Sequence, residues 1–189
     1  KMCGVCGSRV MDEQGTHALC CSKAESTKGH YAVRDVLAAA FAAGDASTEC
    51  EVQGLIPSAP SLRPADILTR AGHERFLAAV DVMVKAPATA GVDGDCTELG
   101  KREKLNNYGP YLDELEGLGI RYMPAVFSAY GRCHPDVTKM LKQAALRAAR
   151  CRGGVPVEEL QERWARDAAA VIWSRAASIN LRCVRRTQE

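Results

Sequence analysis

Residues with metal-ligating side chains are concentrated at the start of the chain. Cys3 and Cys6 form a Cys-x2-Cys pair, and His17 follows after ten residues, with Cys20 and Cys21 just beyond it. A short Cys-x2-Cys turn points two thiolates at one centre, and a nearby His and Cys complete a tetrahedron suited to Zn²⁺. The spacing leaves Cys20 and Cys21 as alternative fourth ligands.

The segment that carries these ligands has little with which to build a core. Residues 1–28 are polar and turn-rich, and metal binding can supply the folding free energy that such a segment lacks. The sequence therefore predicts a small zinc knuckle over residues 1–28. The alternative is a set of unrelated free thiols, which the ligand spacing disfavours. A secreted disulfide framework is also disfavoured, because the nine cysteines are odd in number and mostly scattered.

Composition restricts the class of protein. The chain has 189 residues, 47% of them apolar, which suits one ordinary domain plus an appendage. No apolar run approaches the ~20 residues of a membrane span, and no signal-peptide pattern opens the sequence. We therefore expect an intracellular protein with no membrane partner. Basic residues cluster at positions 101–104, 147–152 and 182–186, and each cluster fits a phosphate-binding surface or a solvated helix face equally well.

Hydrophobic periodicity predicts both helices and strands. The helices cover residues 32–43, 98–118, 135–150 and 156–179, and the strands cover residues 65–68, 76–84 and 120–130. Gly109 and Pro110 should break or kink the second helix, and Pro124 favours an edge or irregular position for the third strand. The last helix has a wide apolar stripe that includes Trp164 and Ile172. This order predicts a mixed α/β fold, with a central sheet flanked by helices.

Two neighbouring predicted strands each contain an aspartate. Asp66 follows Arg63-Pro64-Ala65, and Asp81 interrupts an otherwise apolar run. A carboxylate inside a buried strand is costly unless something pairs with it. Two such carboxylates can share a divalent metal that holds a phosphate and a water, as metal-assisted phosphodiester hydrolysis requires. The structural alternative is that Asp66 caps a turn and Asp81 pairs with an arginine.

A lysine and a tyrosine on one predicted helix extend this pattern. Lys104 and Tyr108 are four residues apart, which places them on the same helix face. A lysine near a scissile phosphate can stabilise developing charge and position the attacking water. The alternative for Lys104 is an ordinary surface lysine beside Lys101 and Arg102.

Taken together, these motifs resemble the C-terminal region of site-specific non-LTR retrotransposon proteins. In that family a CCHC knuckle precedes a restriction-like endonuclease of the PD-(D/E)xK superfamily. The resemblance rests on the order and spacing of short stretches and covers the chain up to about residue 150. The stretches are residues 3–7, 15–21, 30–35, 63–66, 80–82, 104–112 and 128–132.

The resemblance implies a fold, a domain order and a set of ligands. It implies a restriction-endonuclease-like core over residues 29–152. Beyond the resemblance, the periodicity and charge of the chain predict an amphipathic helix and basic tail over residues 153–189. The family spacing His-x3-Cys selects Cys21 over Cys20 as the fourth zinc ligand. Asp66 and Asp81 would bind a catalytic Mg²⁺ or Mn²⁺. The further catalytic residues implied are Lys104, Tyr108, His30 and Glu51.

The chain departs from the family pattern at two positions. The superfamily's usual lysine, two residues after the second acid, is Met83 here, and in the retrotransposon branch a later helical lysine, Lys104, takes its place. Gly29 stands where a basic residue commonly precedes His30. Both departures favour an alternative function, namely a catalytically inactive zinc module, derived from such an element, that binds nucleic acid or another protein.

The resemblance also implies an activity and partners. The expected activity is the nicking of target DNA, from which an associated or fused reverse transcriptase would prime. DNA is the expected partner, RNA is a further candidate, and the expected location is the nucleus.

Overall fold

The computed structural model describes residues 2–4, 6–13, 15–21, 23–87 and 94–185. Within these ranges the side chains of residues 20, 23–28, 152, 184 and 185 are not described. Residues 186–189 of the predicted basic tail lie outside the described residues. None of the helices in the described ranges has the length and apolarity needed to cross a bilayer.

The described chain forms a mixed α/β fold around a four-stranded sheet, as predicted. The strands are β1 (Glu49–Val52), β2 (Ala65–Thr69), β3 (Leu77–Lys85) and β4 (Ile120–Ser128), adjacent in that order. The β1–β2 and β2–β3 pairs are antiparallel, whereas β3 and β4 are parallel. Of the two positions predicted for the strand with Pro124, edge or irregular, β4 takes the edge, because its described neighbour is β3 alone.

Helices flank this sheet. They are α1 (Thr16–Cys21), α2 (Lys23–Ala42), α3 (Cys96–Tyr108), α4 (Leu112–Gly117), α5 (Pro135–Arg152) and α6 (Val157–Arg185). A 3-10 turn, Gly109–Tyr111, separates α3 from α4. The predicted break at Gly109 and Pro110 is therefore confirmed, since a proline ring cannot continue the regular helix hydrogen bonds.

Two hydrophobic cores hold the layers together. The larger one joins the sheet to α2, α5 and α6 and contains Phe41, Val82 and Phe127. Trp164 on α6 is only 7% exposed within this core, so the predicted buried stripe of the last helix is confirmed. The smaller core packs the sheet against α3 and α4 around Leu115.

Three features differ from the sequence prediction. The polar segment Glu49–Val52 forms β1, which lacks a buried apolar face and is held by its pairing with β2. Helix α2 begins at Lys23 instead of residue 32, so the predicted domain boundary at residue 28 falls inside a helix. Helix α6 continues to Arg185, past the predicted end at residue 179.

Candidate active site and metal centre

The four predicted zinc ligands lie together. One ligand atom from each of Cys3, Cys6, His17 and Cys21 lies within 4.8 Å of the others. Helix α1 contributes His17 and Cys21 from one face, because they are four residues apart. The side chain of Cys20, the alternative fourth ligand, lies outside the described residues.

The chemistry of this cluster suits a tetrahedral metal ion. Hydrogen bonds to Ser8 lower the pKa of the Cys6 thiol to about 5, and Cys6 Sγ lies 3.3 Å from His17 Nε2. Desolvation and contacts with the neighbouring thiols raise the pKa of Cys21 to about 11. A bound cation would favour the thiolate of Cys21, because a coordinating thiol loses its proton. Three sulfurs and one imidazole are a common donor set for a structural metal site.

Contacts with the rest of the fold fix the position of the knuckle. The Asp12 carboxylate accepts hydrogen bonds from two backbone N–H groups at the start of α1, which satisfies part of the helix N-terminus. The hydroxyl groups of Thr16 and Tyr130 are hydrogen-bonded at 2.8 Å. Cys3 and Ile179 share a small buried cluster that also includes Ala18 and Cys183. The knuckle therefore packs against the end of α6.

Three acidic residues form one row across the sheet. The paired residues on either side, Cys50 with Ile67 and Val52 with Ala65, leave Glu51 across from Asp66 in the β1–β2 register. The β2–β3 register, continued by one position, places Asp66 opposite Asp81. Directly opposed residues project from the same face of a sheet, where like charges are destabilising. The row therefore needs cations to neutralise it.

Helix α2 supplies a guanidinium and an imidazole as partners for two of these carboxylates. Arg34 Nη1 lies 2.6 Å from Glu51 Oε1, and His30 Nε2 lies 3.2 Å from Asp66 Oδ1. The other oxygen of Asp66 accepts the backbone N–H of Val82 at 2.6 Å. Burial opposes ionisation of Asp66, but the hydrogen bonds from His30 and Val82 lower its pKa below the ordinary value. Asp66 thus bonds across the sheet and does not cap a turn.

The third carboxylate, that of Asp81, is held by a lysine and a tyrosine. Asp81 is 3% exposed. Lys104 Nζ donates to Oδ1 at 2.7 Å, and the Tyr122 hydroxyl donates to Oδ2 at 2.6 Å. Burial raises the pKa of Asp81 to about 6, although both donors favour the carboxylate. These two residues occupy the place of the arginine expected under the structural alternative.

Tyr108 acts on the backbone beside the acids. Its hydroxyl donates to the carbonyl oxygen of Arg63 at 2.8 Å, and its ring lies 4.8 Å from that of Tyr122, centroid to centroid. Burial raises the pKa of Tyr108 to about 12. The hydroxyl therefore remains a hydrogen-bond donor at neutral pH.

One open cleft brings the predicted site residues together. Met83, at the superfamily's lysine position, lines this cleft beside Tyr31 and Arg63. Because Lys104 Nζ reaches Asp81 from α3, the cleft contains a lysine despite Met83. The predicted residues on its walls are His30, Glu51, Asp66, Asp81, Lys104 and Tyr108.

Part of this cleft has the geometry of a metal site. His30, Glu51 and Asp66 each offer a ligand atom within 4.8 Å of the others. Asp81, one of the two ligands expected from the sequence, is not a member of this set. Imidazole nitrogen and carboxylate oxygen together suit divalent first-row metals.

Two residues that act on these acids, Arg34 and Tyr122, are not among the residues predicted from the sequence. Arg34 could have been found, because it lies four residues after His30 on the same helix face. Tyr122 could not, because its contact with Asp81 depends on the parallel pairing of β3 with β4. No local pattern in the sequence encodes that pairing.

Comparison of the chain with protein-family models, with curated proteins and with solved structures found no match.

Proposed function

We propose that the chain is a divalent-metal-dependent DNA endonuclease, with a restriction-endonuclease-like core and a zinc knuckle. The observation that carries this proposal is the convergence of Asp66, Asp81 and Lys104 on one open cleft. Two adjacent strands and a helix supply these side chains, so the arrangement depends on the tertiary fold. Paired acids and a lysine beside an accessible surface are the groups that metal-assisted phosphodiester hydrolysis uses.

Each group in the cleft would have a separate role in phosphodiester hydrolysis. A divalent ion bound by the acids would polarise the phosphate and lower the pKa of a bound water. The Lys104 ammonium, 21% exposed at the cleft, can stabilise negative charge that develops on the phosphate. Asp81, with a pKa raised to about 6 by burial, can take up a proton near neutral pH.

The knuckle has a structural part in the same proposal. Zn²⁺ held by Cys3, Cys6, His17 and Cys21 would stabilise the N-terminal segment and place it for contact with DNA. Helix α2 then runs from the knuckle to the cleft, where it contributes His30. A reverse transcriptase partner, RNA as a further ligand and a nuclear location extend the resemblance and belong to this proposal.

The test is nicking of supercoiled plasmid DNA by zinc-loaded protein with Mg²⁺ or Mn²⁺. Wild-type protein is compared with Asp81→Asn and with a matched control, Asp136→Asn. Asp136 also pairs with a lysine of α3, at 2.6 Å from Lys101, but it does not line the cleft. We expect Asp81→Asn to abolish nicking and Asp136→Asn to retain it. Equal nicking by Asp81→Asn and wild type would exclude the proposal.

One observation favours a second function, a nucleic-acid-binding module that does not cut. Both oxygens of Asp81 and both oxygens of Asp66 already have partners within the protein. The two acids are therefore neutralised without any metal. A zinc-loaded wild type that shifts DNA in a gel but yields no nicked plasmid with either ion would support this second function.

A further inference from the structure

We infer that the cleft binds a first-row transition dication, such as Mn²⁺, through His30, Glu51 and Asp66, in preference to Mg²⁺. This inference rests on the proposed function, because both place a divalent ion at Asp66. It replaces Asp81 as a ligand and assigns His30 to direct coordination. Asp81 remains beside the ion as the partner of Lys104.

The separation of the ligand atoms fits a single ion. His30 Nε2 and Asp66 Oδ1 are 3.2 Å apart. Two adjacent ligands of an octahedral ion with bonds of about 2.1 Å lie roughly 3.0 Å apart. The corresponding atom of Glu51 lies within 4.8 Å of both, so the three side chains are near enough to reach one ion. Small side-chain adjustments would complete three bonds.

The backbone at Glu51 gives an independent reason to place this side chain at a functional site. Its φ is 56°, and it is the one non-glycine residue of the described ranges with a positive φ. A glutamate in the left-handed region is strained, and such strain persists where surrounding contacts hold it, typically at functional sites. Arg34 holds Oε1 of Glu51 from α2. This conformation presents the carboxylate opposite Asp66.

The surroundings of Asp81 argue against it as a ligand. Its side chain is 5% exposed, and Lys104 and Tyr122 each donate to one of its oxygens. An ion bound to Asp81 would have to replace one of these donors. The side chains of His30 and Asp66 are more accessible, at 26% and 17% exposed. An ion entering from solvent therefore meets the histidine-containing set first.

The donor set determines which ion is preferred. Mg²⁺ is bound mainly by oxygen, whereas an imidazole nitrogen suits Mn²⁺ and the later first-row ions. Arg34 already pairs with Glu51 at 2.6 Å, so a bound ion would share this carboxylate with the guanidinium.

Mn²⁺ binding can be measured by electron paramagnetic resonance on protein loaded with one equivalent of Zn²⁺ and freed of excess zinc, so that the thiolate-rich knuckle holds the Zn²⁺ and the cleft is open to Mn²⁺. Electron spin echo modulation then reports whether a nitrogen nucleus is coupled to the bound Mn²⁺. We expect nitrogen coupling in wild type and its loss in His30→Gln, with Mn²⁺ affinity lowered roughly tenfold or more. Mg²⁺ affinity, measured by competition, should change less. His73→Gln is the matched control, since His73 lies outside the cleft.

Further variants keep the result interpretable. Glu51→Gln should also weaken Mn²⁺ binding while leaving His30 in place, which covers the case in which His30→Gln fails to fold. Retention of nitrogen coupling in a folded His30→Gln protein would overturn the inference. So would equal affinity of wild type for Mn²⁺ and Mg²⁺.

Nicking assays on the same samples separate the two proposals. Protein that shows nitrogen-coupled Mn²⁺ but cuts no DNA keeps the metal site and loses the endonuclease. Protein that cuts DNA while its bound ion has only oxygen ligands keeps the endonuclease and loses the histidine-containing metal site.

Discussion

Lys104 donates a hydrogen bond to Asp81 at 2.7 Å although 23 positions separate the two residues in the chain. The contact joins α3 to the middle of β3 and supplies a cation at the point where Met83 leaves the strand without one. The lysine therefore reaches the acid from a different element of the fold. This relationship leads directly to a test of what Lys104 contributes.

We predict that Lys104→Ala slows single-turnover DNA cleavage by about tenfold or more, because charge on the phosphate loses its stabilising ammonium. DNA affinity should fall only modestly, since one phosphate contact is lost. Lys101→Ala on the same helix is the control, because Lys101 pairs with Asp136. Indistinguishable cleavage rates for the two variants would remove Lys104 from the chemistry.

The raised pKa of Asp81 predicts that the stability difference between wild type and Asp81→Asn depends on pH. Burial moves this pKa from 3.8 to about 6, so the fold favours the protonated form. The contribution of Asp81 is therefore most favourable below pH 4 and becomes less favourable as the pH rises through 6. Relative to wild type, Asp81→Asn should gain about 2–3 kcal/mol of unfolding free energy between pH 4 and pH 7.

Urea unfolding of both proteins at the two pH values measures this gain. The comparison with Asp81→Asn is needed because Asp66 and His30 titrate in the same cleft. The lowered pKa of Asp66 makes stability fall as the pH drops, and the raised pKa of His30 makes it fall as the pH rises. A stability difference independent of pH would contradict the burial argument for Asp81.

Backbone strain at Glu51 predicts an unusual order of stabilities. At φ 56° glycine is free of the side-chain clash that alanine suffers, so Glu51→Gly should be more stable than Glu51→Ala by about 1 kcal/mol. Glu49 in the same strand has no positive φ, and there glycine should be the less stable by roughly 0.5–1 kcal/mol. Thermal unfolding of the four variants checks both orders.

The knuckle should hold one zinc per chain. Cys6→Ser should lower the zinc content measured by elemental analysis, because it removes one of four ligands. Cys151→Ser, at an exposed position outside the cluster, should retain the metal. Chelation should unfold the N-terminal segment and increase hydrogen exchange near Ile179, which packs against it, with most of the helical signal retained. A wild-type protein purified without metal would contradict the ligand assignment.

The two tryptophans of α6 should differ in their contribution to stability. Trp164 is 7% exposed and Trp173 is 58% exposed. Trp164→Ala should therefore lower the unfolding free energy by ~3–5 kcal/mol, and Trp173→Ala by less than ~1 kcal/mol. Chemical denaturation measures both. Similar losses for the two variants would mean that α6 packs differently from the structure described.

The sequence was sufficient to predict elements whose burial leaves a pattern. Strands β2 and β3 appear as apolar runs, and the stripe of α6 around Trp164 has helical periodicity. Strand β1 left no such pattern, because it is an exposed or half-buried edge strand. The start of α2 at Lys23 was missed for a related reason, since the part of the helix before residue 32 has few apolar residues.

The sequence was sufficient to predict the acids and the lysine of the candidate site, but not the contacts between them. The acids and Lys104 stood out by type and spacing, and the fold brings them to one cleft. The contact of Tyr122 with Asp81 and the left-handed backbone of Glu51 depend on strand pairing. Such features arise from tertiary contacts between distant residues, which short sequence patterns do not encode.

Helix α2 fixes the distance between the knuckle and the cleft. Helix α2 begins at Lys23, next to the knuckle, and carries His30 into the cleft, seven residues or about 10 Å further along its axis. If the knuckle binds DNA, α2 would hold the cleft at a fixed distance from the bound segment. One residue inserted before His30 would lengthen that distance by about 1.5 Å and turn the histidine by about 100° around the helix axis. Under the proposed function, the length of this one helix would set the distance between the site where the knuckle binds DNA and the site of cleavage.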